Sequence, residues 1–243
     1  DSKVKIKAPT QHIDQVYEYP KIPGFPFQQS FNLASTKEET TAKYSISDGK
    51  PDLRLHPVHQ FSRWYSAAMK RKPLINKWNR TSALVPSVFS TQLCNYLNAT
   101  RGFHIKPTNL LNTRSTEMSL YIVSQVLINL GDLVLVGQLS NYLANMIFQQ
   151  AGAKIKTVPV DDEGLDIGYI KKHLIHERIR CIYVCSNRDY PTTTTLSTKR
   201  RLQLLELAKT HGFAIIEDDF DHDFQFEGSS MLPMASADAN GNI

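Results

Sequence analysis

From about residue 110 onward, short apolar runs alternate with longer segments whose apolar positions recur every three or four residues. The runs "NLLNT" (109–113), "DLVLVG" (132–137), "KIKTVPV" (154–160), "RCIYVCS" (180–186) and "FAIIE" (213–217) have the length and make-up of strands. Between them, residues 115–129, "SNYLANMIFQQAG", "LDIGYIKKHLIHE" and "STKRRLQLLELAKTHG" read as helices. The helix ends carry matching chemistry. Ser115 or Thr116 can cap the first of these helices and Ser197 the last, and Gly212 stands where that last helix has to stop. Strands separated by helices of this length predict βαβ units, hence an α/β fold with a mostly parallel sheet covered on both faces.

Upstream the pattern is weaker. "FSRWYSAAMKRK" and "FSTQLCNYLNATRG" read as two helices, the second ending at Gly102. Residues 1–45 bring Pro9, Pro20, Pro23 and Pro26 close together, followed by the polar "ASTKEETTAK", and are expected to form an irregular linker. Residues 46–243 are then the folded domain.

In parallel sheets ligands sit beyond the carboxyl ends of the strands. Four loops qualify: "TRSTE" (113–117), "GQLSNY" (137–142), "CSNRDYPTT" (185–193) and "EDDFDHDF" (217–224). The first joins a strand to a helix start, where free N–H groups and the helix dipole favour an anion. Ser115 and Thr116 add hydroxyls and Arg114 adds charge, whereas Glu117 would repel a phosphate. An ordinary helix cap explains the same stretch equally well. The last loop crowds Glu217, Asp218, Asp219, Asp221 and Asp223 together. It could ligate magnesium, seat a cationic ring nitrogen on Asp218, or be a solvated strand end.

Composition narrows the class. A hydrophobic share of 41% against 21% charged residues describes a globular chain. The longest apolar stretch, "MSLYIVSQVLINLGDLVLVG", is broken by Gln125, Asn129 and Asp132, so no membrane span is expected. No apolar leader follows the charged first residues. Cys94, Cys181 and Cys185 lack disulfide spacing and suggest free thiols in the cytoplasm. Residues 1–80 hold 14 Lys/Arg against 7 Asp/Glu, while the remainder holds 14 against 16. No helix-turn-helix or zinc pattern accompanies that basic start, which reads as a solvated linker. Gly-x-Ser-x-Gly, Gly-x-Gly-x-x-Gly and Walker loops are also missing, which removes the commonest hydrolase and nucleotide readings.

Taken in order, "GDLVLVG", "ANMIFQQAGAKIKTVPVDDEGLD", "YPTTTTLSTKRRLQLLELAKTHGFAIIEDDFDHDF" and "LPMASADANGNI" resemble the aminotransferase-like domain of MocR-type regulators, a branch of the GntR family. The resemblance begins near "ISDGKPDLRLHP" at residue 46 and implies the large domain of a fold-type-I aminotransferase, a mostly parallel three-layer α/β sheet. It implies pyridoxal 5'-phosphate as cofactor. Asp218 falls where the family pairs a carboxylate with the pyridinium nitrogen. Ser115, Thr116 and Glu117 fall on the phosphate-holding turn, Asn141 on the ring-stacking position, and Tyr190 in the loop near the ring hydroxyl. Phe220 replaces a tyrosine, so a hydroxyl is lost there. Arg188 stands where a histidine is usual, and "NRTSALVP" around Arg80 replaces an expected Tyr-Gly turn.

The resemblance places the family's Schiff-base lysine in a "SFSK"-like stretch after "ADANG", beyond Ile243, with two inner strands and a small C-terminal domain. The expected domain is therefore incomplete at its C-terminus, and no residue is assigned a catalytic role. The acidic neighbours of Asp218 are expected to form a hydrated loop. The function implied is sensing of cofactor, amino acid or amine, in a homodimer that reaches DNA only through a separate winged-helix domain. Alternatives are an active aminotransferase completed by another chain, a remnant without ligand, or a magnesium-dependent hydrolase using the acidic cluster.

Overall fold

The computed structural model describes residues 52–70, 88–220, 222–223 and 231–243, with the single residues 26, 43 and 44. The chain divides into units of residues 1–39 and 40–243, and the described structure belongs almost wholly to the second. Apart from those three single residues, the linker expected over 1–45 lies outside the described residues, as does the turn around Arg80.

Two helices come first, α1 (Val58–Met69) and α2 (Val88–Arg101), with α3 (Thr116–Leu127) after them. The order continues β1 (Leu133–Gly137), α4 (Tyr142–Gln150), β2 (Lys154–Val158), β3 (Val160–Asp161), β4 (Gly164–Leu165) and α5 (Ile167–Tyr169). One turn of π-helix, Ile170–Leu174, extends α5, and β5 (Ile179–Val184), α6 (Thr198–His211) and β6 (Ala214–Glu217) follow.

β1, β2, β5 and β6 form a fully parallel sheet in the order β2-β1-β5-β6. Alternate residues of each strand feed two separate cores. Val134, Val136, Cys181, Tyr183 and Ile216 face Leu120 of α3 with Ala144 and Phe148 of α4. Leu133, Leu135, Ile182, Val184 and Ile215 face Ile170 of the π turn and Leu204, Leu207 and Ala208 of α6. The result is a three-layer α/β sandwich. β1 is buried along its full length, as a central parallel strand must be when helices cover both faces. β2 exposes Lys154 and Lys156 at the sheet edge, where lysines discourage pairing with another chain.

The caps follow the residue chemistry. The Ser197 side chain accepts from the Arg200 N–H at the start of α6, and Gly212 ends the helix at φ 70°. Ser115 caps α3 by accepting from the Met118 N–H.

Three expectations change. "NLLNT" forms no strand: 110–113 are irregular after a 3-10 turn at Pro107–Asn109, and Leu111 is exposed. A strand exists only where a neighbour completes its ladder, and this segment pairs with none of the described strands. "KIKTVPV" breaks at Pro159, whose nitrogen cannot donate to a ladder, and Val160–Asp161 turns into a hairpin with Gly164–Leu165. "LDIGYIKKHLIHE" forms three α-helical residues before passing into the π turn.

Candidate functional site

A cleft of about 470 Å³ opens between the start of α3 and the end of β6. Thr113, Arg114, Ser115, Thr116 and Ser119 form one wall, and Asp218, Asp219 and Phe220 form the other. Leu120, Val123 and Ile216 supply apolar lining. The first wall is polar because α3 begins there, and the first N–H groups of a helix have no carbonyl to meet. Thr113 Oγ1 lies 2.6 Å from Ser119 Oγ and donates to the Ser115 carbonyl, which fixes the turn ahead of the helix.

Asp218 is set by the strand before it. Its N–H donates to the Val184 carbonyl at 2.9 Å, carrying the β5–β6 pairing one residue past the strand end. Tyr183, buried at 2% exposure on β5, donates its hydroxyl to Asp218 Oδ2 at 2.8 Å. Behind it the Cys185 thiol lies 3.5 Å from that same hydroxyl. Burial pushes the Asp218 carboxyl above its ordinary value, the Tyr183 hydroxyl pulls it back down, and Asp219 adds to the rise. Burial likewise drives the Tyr183 hydroxyl upward and the Cys185 thiol up to about 12, so both stay protonated at neutral pH.

Of the residues that sequence reasoning selected, Ser115, Thr116, Asp218 and Phe220 line this one cleft. Glu117 sits exposed in the first turn of α3 and is not among the lining residues. Asn141 is the N-cap of α4, its side chain accepting from the Leu143 N–H at 3.0 Å. Tyr190 stands half-buried in the loop after β5, where its bond to Pro191 is cis. Neither lines the cleft. Between β1 and β5, where the strand order reverses, only about 10 Å³ is open beside Gly137, Cys185 and Asp189. The cleft beyond β6 is far roomier.

The acidic loop is not simply hydrated. Glu217 accepts from the Met234 and Ala235 N–H groups at 2.8 and 3.0 Å and from the Ser186 hydroxyl, tying β6 to the 3-10 turn Met234–Ala237. Asp223 receives both terminal nitrogens of Arg101, at 3.1 and 2.9 Å, together with the Tyr96 hydroxyl. Asp219 lies 3.6 Å from Arg101 Nε and accepts from Asn187 at 2.6 Å, with His222 Nδ1 3.0 Å away. A cation of the chain thus already meets two of the carboxylates. Among the described residues no group of three His, Cys, Asp or Glu is placed to hold a metal ion. Asp221 lies outside them.

Sequence reasoning missed Arg101, Tyr183 and Arg201. The period-2 pattern of β5 puts Tyr183 on the face of Cys181 and Cys185, but its register opposite Ile216 belongs to the fold. Arg201, 5% exposed, donates to the carbonyls of Leu196, Ser186 and Leu232 and to Asn187 Oδ1. Nothing in "STKRRLQ" distinguishes it from its neighbours.

No protein-family model matches the chain. It is 22% identical to aromatic-amino-acid aminotransferase 1 of Thermococcus litoralis over 99% of the chain and 58% of that protein. It is 26% identical to the probable rhizopine catabolism regulatory protein MocR of Rhizobium meliloti, over 93% of the chain and 38% of the relative. An HTH-type regulator of Bacillus subtilis, YdfD, is 31% identical over 62% of the chain and 31% of its own length. The chain therefore spans between about a third and somewhat over half of these curated relatives. Among solved structures, the multiple substrate aminotransferase of Thermococcus profundus superposes with a TM-score of 0.69 at 20% identity, covering 84% of the chain and 52% of that structure. An archaeal alanine:glyoxylate aminotransferase gives 0.67 at 24% identity over 79% of the chain and 48% of its own. The fold is that of fold-type-I aminotransferases, and the sequence relatives include MocR-type regulators as well as aminotransferases. Among the described residues no helix is long and apolar enough to cross a membrane.

Proposed function

We propose that this aminotransferase-like domain, of the kind MocR-type regulators of the GntR family carry, binds pyridoxal 5'-phosphate or a close relative between α3 and the end of β6. One juxtaposition supports the reading above all. A carboxylate set in an apolar surround and the anion-seeking start of a helix face each other across one cleft of about 470 Å³. That volume suits a small ligand. A flat ring that is cationic at one end and carries a phosphate at the other needs both walls.

The residues present fit such a group. The phosphate would be held by Thr113, Arg114, Ser115 and Thr116, with the exposed Glu117 carboxylate outside the lining. The ring nitrogen would pair with Asp218. Tyr183 already occupies Oδ2 of that carboxylate and orients the group along the end of β6. Ionising Asp218 by itself is opposed by burial. A cationic ring beside it would reverse that penalty, so the ion pair forms with the ligand. When bound, the cofactor's protonated ring serves as an electron sink. Phe220 offers the ring an apolar contact without a hydroxyl. Asn141 and Tyr190 would serve it only from positions beside the lining.

The regulators among the relatives support sensing of the cofactor, an amino acid or an amine as the role, rather than turnover. On this reading residues 46–243 are part of a large domain, preceded by a linker over 1–45. The whole protein works in the cytoplasm as a homodimer and binds DNA through a separate winged-helix domain.

Pyridoxamine 5'-phosphate is the test ligand, because it has the same ring and phosphate but no aldehyde to react with surface lysines. Difference absorbance should show saturable binding, and D218A should weaken it. Loss of a charge-assisted hydrogen bond of about 1.5–3 kcal/mol corresponds to roughly ten- to a hundredfold in affinity. No saturation at millimolar ligand would end this reading.

A further inference from the structure

The geometry points to Arg101 as a positioning residue for Asp218, through a clamp by which α2 sets the separation of the two cleft walls. The inference rests on the reading of the cleft given above and extends it to a helix that contributes nothing to the cleft lining.

α2 touches both walls indirectly. At its beginning, Ser90 Oγ meets Asn112 Nδ2 at 3.5 Å, one residue before the polar wall starts at Thr113. At its end, Arg101 forks onto both oxygens of Asp223 at 3.1 and 2.9 Å and brings Nε to 3.6 Å from Asp219. Asp219 and Asp223 bracket Phe220, and Asp219 directly follows Asp218. Holding them fixes the backbone on either side of Phe220 and just after Asp218. The helix end is itself stiff, since the Asn98 side chain exchanges two 3.0 Å hydrogen bonds with the backbone of Ile105.

Three features make this more than a surface ion pair. The Arg101 side chain is 9% exposed, so its charge is held out of water where a paired cation is costly to lose. Its planar fork engages Asp223 with two parallel bonds, which fixes direction as well as distance. Asp219 also accepts from Asn187, which is bonded in turn to Arg201, so the clamp continues into the loop after β5. Arg101 thus sets a cation against Asp219 and Asp223, while Asp218 keeps the Tyr183 hydroxyl as its partner in the cleft wall.

The test compares wild type, R101M, R101K and D223N by titration with pyridoxamine 5'-phosphate, titration with inorganic phosphate, and thermal unfolding without ligand. The pH at which the bound ring nitrogen loses its proton is followed by absorbance. R101M should bind pyridoxamine 5'-phosphate at least tenfold more weakly, with the ring deprotonating at lower pH, while inorganic phosphate affinity stays within twofold. R101K, which keeps the charge without the fork, should lie between. D223N changes a half-exposed partner, so it tests the clamp if R101M does not fold. It should weaken pyridoxamine 5'-phosphate severalfold while inorganic phosphate affinity stays within twofold. If wild type binds and the variants match it in affinity and ring titration, the clamp is overturned and the cleft reading stands. If the variants lose both ligands in step with melting temperature, Arg101 is a general fold residue and the proposal fails. If wild type binds neither ligand, the cleft reading falls and takes the clamp with it.

Discussion

Replacing Arg201 by methionine isolates the buried cation that joins the two ends of the loop after β5 to Leu232, just ahead of the 3-10 turn Met234–Ala237. Its guanidinium donates four hydrogen bonds of 2.7–2.9 Å, to the carbonyls of Leu196, Ser186 and Leu232 and to Asn187 Oδ1. Methionine fills much of the volume but gives no donor, so the Leu196 carbonyl and Asn187 Oδ1 lose a charged donor inside the protein, while the Ser186 carbonyl keeps the Leu196 N–H. Hydrogen bonds from a charged donor are worth about 1.5–3 kcal/mol each. Against that gross gain stands the cost of burying the guanidinium, several kcal/mol, which also pulls its pKa down. Breaking one side of such a buried network typically costs about 3–5 kcal/mol net. With a urea dependence of about 2–3 kcal/mol per molar, the unfolding midpoint of R201M should fall by roughly 1–2.5 M. R201K should fall in between, because a single ammonium cannot reach all four acceptors. A midpoint for R201M within about 0.3 M of wild type, at unchanged slope, would refute the claim that this network holds the loops together.

Gly164 has φ +90°, and a Cβ built there would lie 2.9 Å from the Leu196 Cα. G164A should therefore cost about 2–5 kcal/mol, the sum of left-handed strain and an overlap that only backbone movement relieves; an unchanged urea midpoint would contradict this. Thr193 is exposed at φ 60°, so T193G should stabilise by about 0.5–1 kcal/mol after the unfolded-chain entropy of glycine is subtracted. T193A, which keeps the strain, should not, and equal midpoints for the two would remove the strain argument. The raised pKa of Asp218 means that the folded state holds this proton to higher pH than the unfolded chain, whose carboxyl releases it near the ordinary 3.8. Stability from this group is thus lost as pH rises through that window, and D218N should melt above wild type at neutral pH and converge with it near pH 4. A melting difference independent of pH would count against it.

Local chemistry made much of the fold legible. Ser197 and Gly212 mark the ends of α6 because capping needs only one side chain or one backbone conformation. "DLVLVG" shows a buried strand because both of its faces must be apolar. Reading failed where a partner far along the chain decides the outcome. "NLLNT" has a strand's composition but no neighbouring strand among the described residues. The loop after β6 looked like solvated acid until Arg101, 122 positions from Asp223, was brought against it.

The sequence by itself determined the alternation of helix and strand, the caps, and the placing of Asp218 at a strand end. These follow from periodicities and side-chain chemistry confined to a few neighbouring residues. Only the tertiary structure decided that Ser115, Thr116, Asp218 and Phe220 share one cleft while Glu117, Asn141 and Tyr190 stay off its walls. It also decided that Tyr183 meets Asp218 and that Arg101 meets Asp219 and Asp223. The physical reason is register. A parallel sheet aligns strand ends through crossovers, and buried charge then selects its partner from whatever that alignment brings within reach.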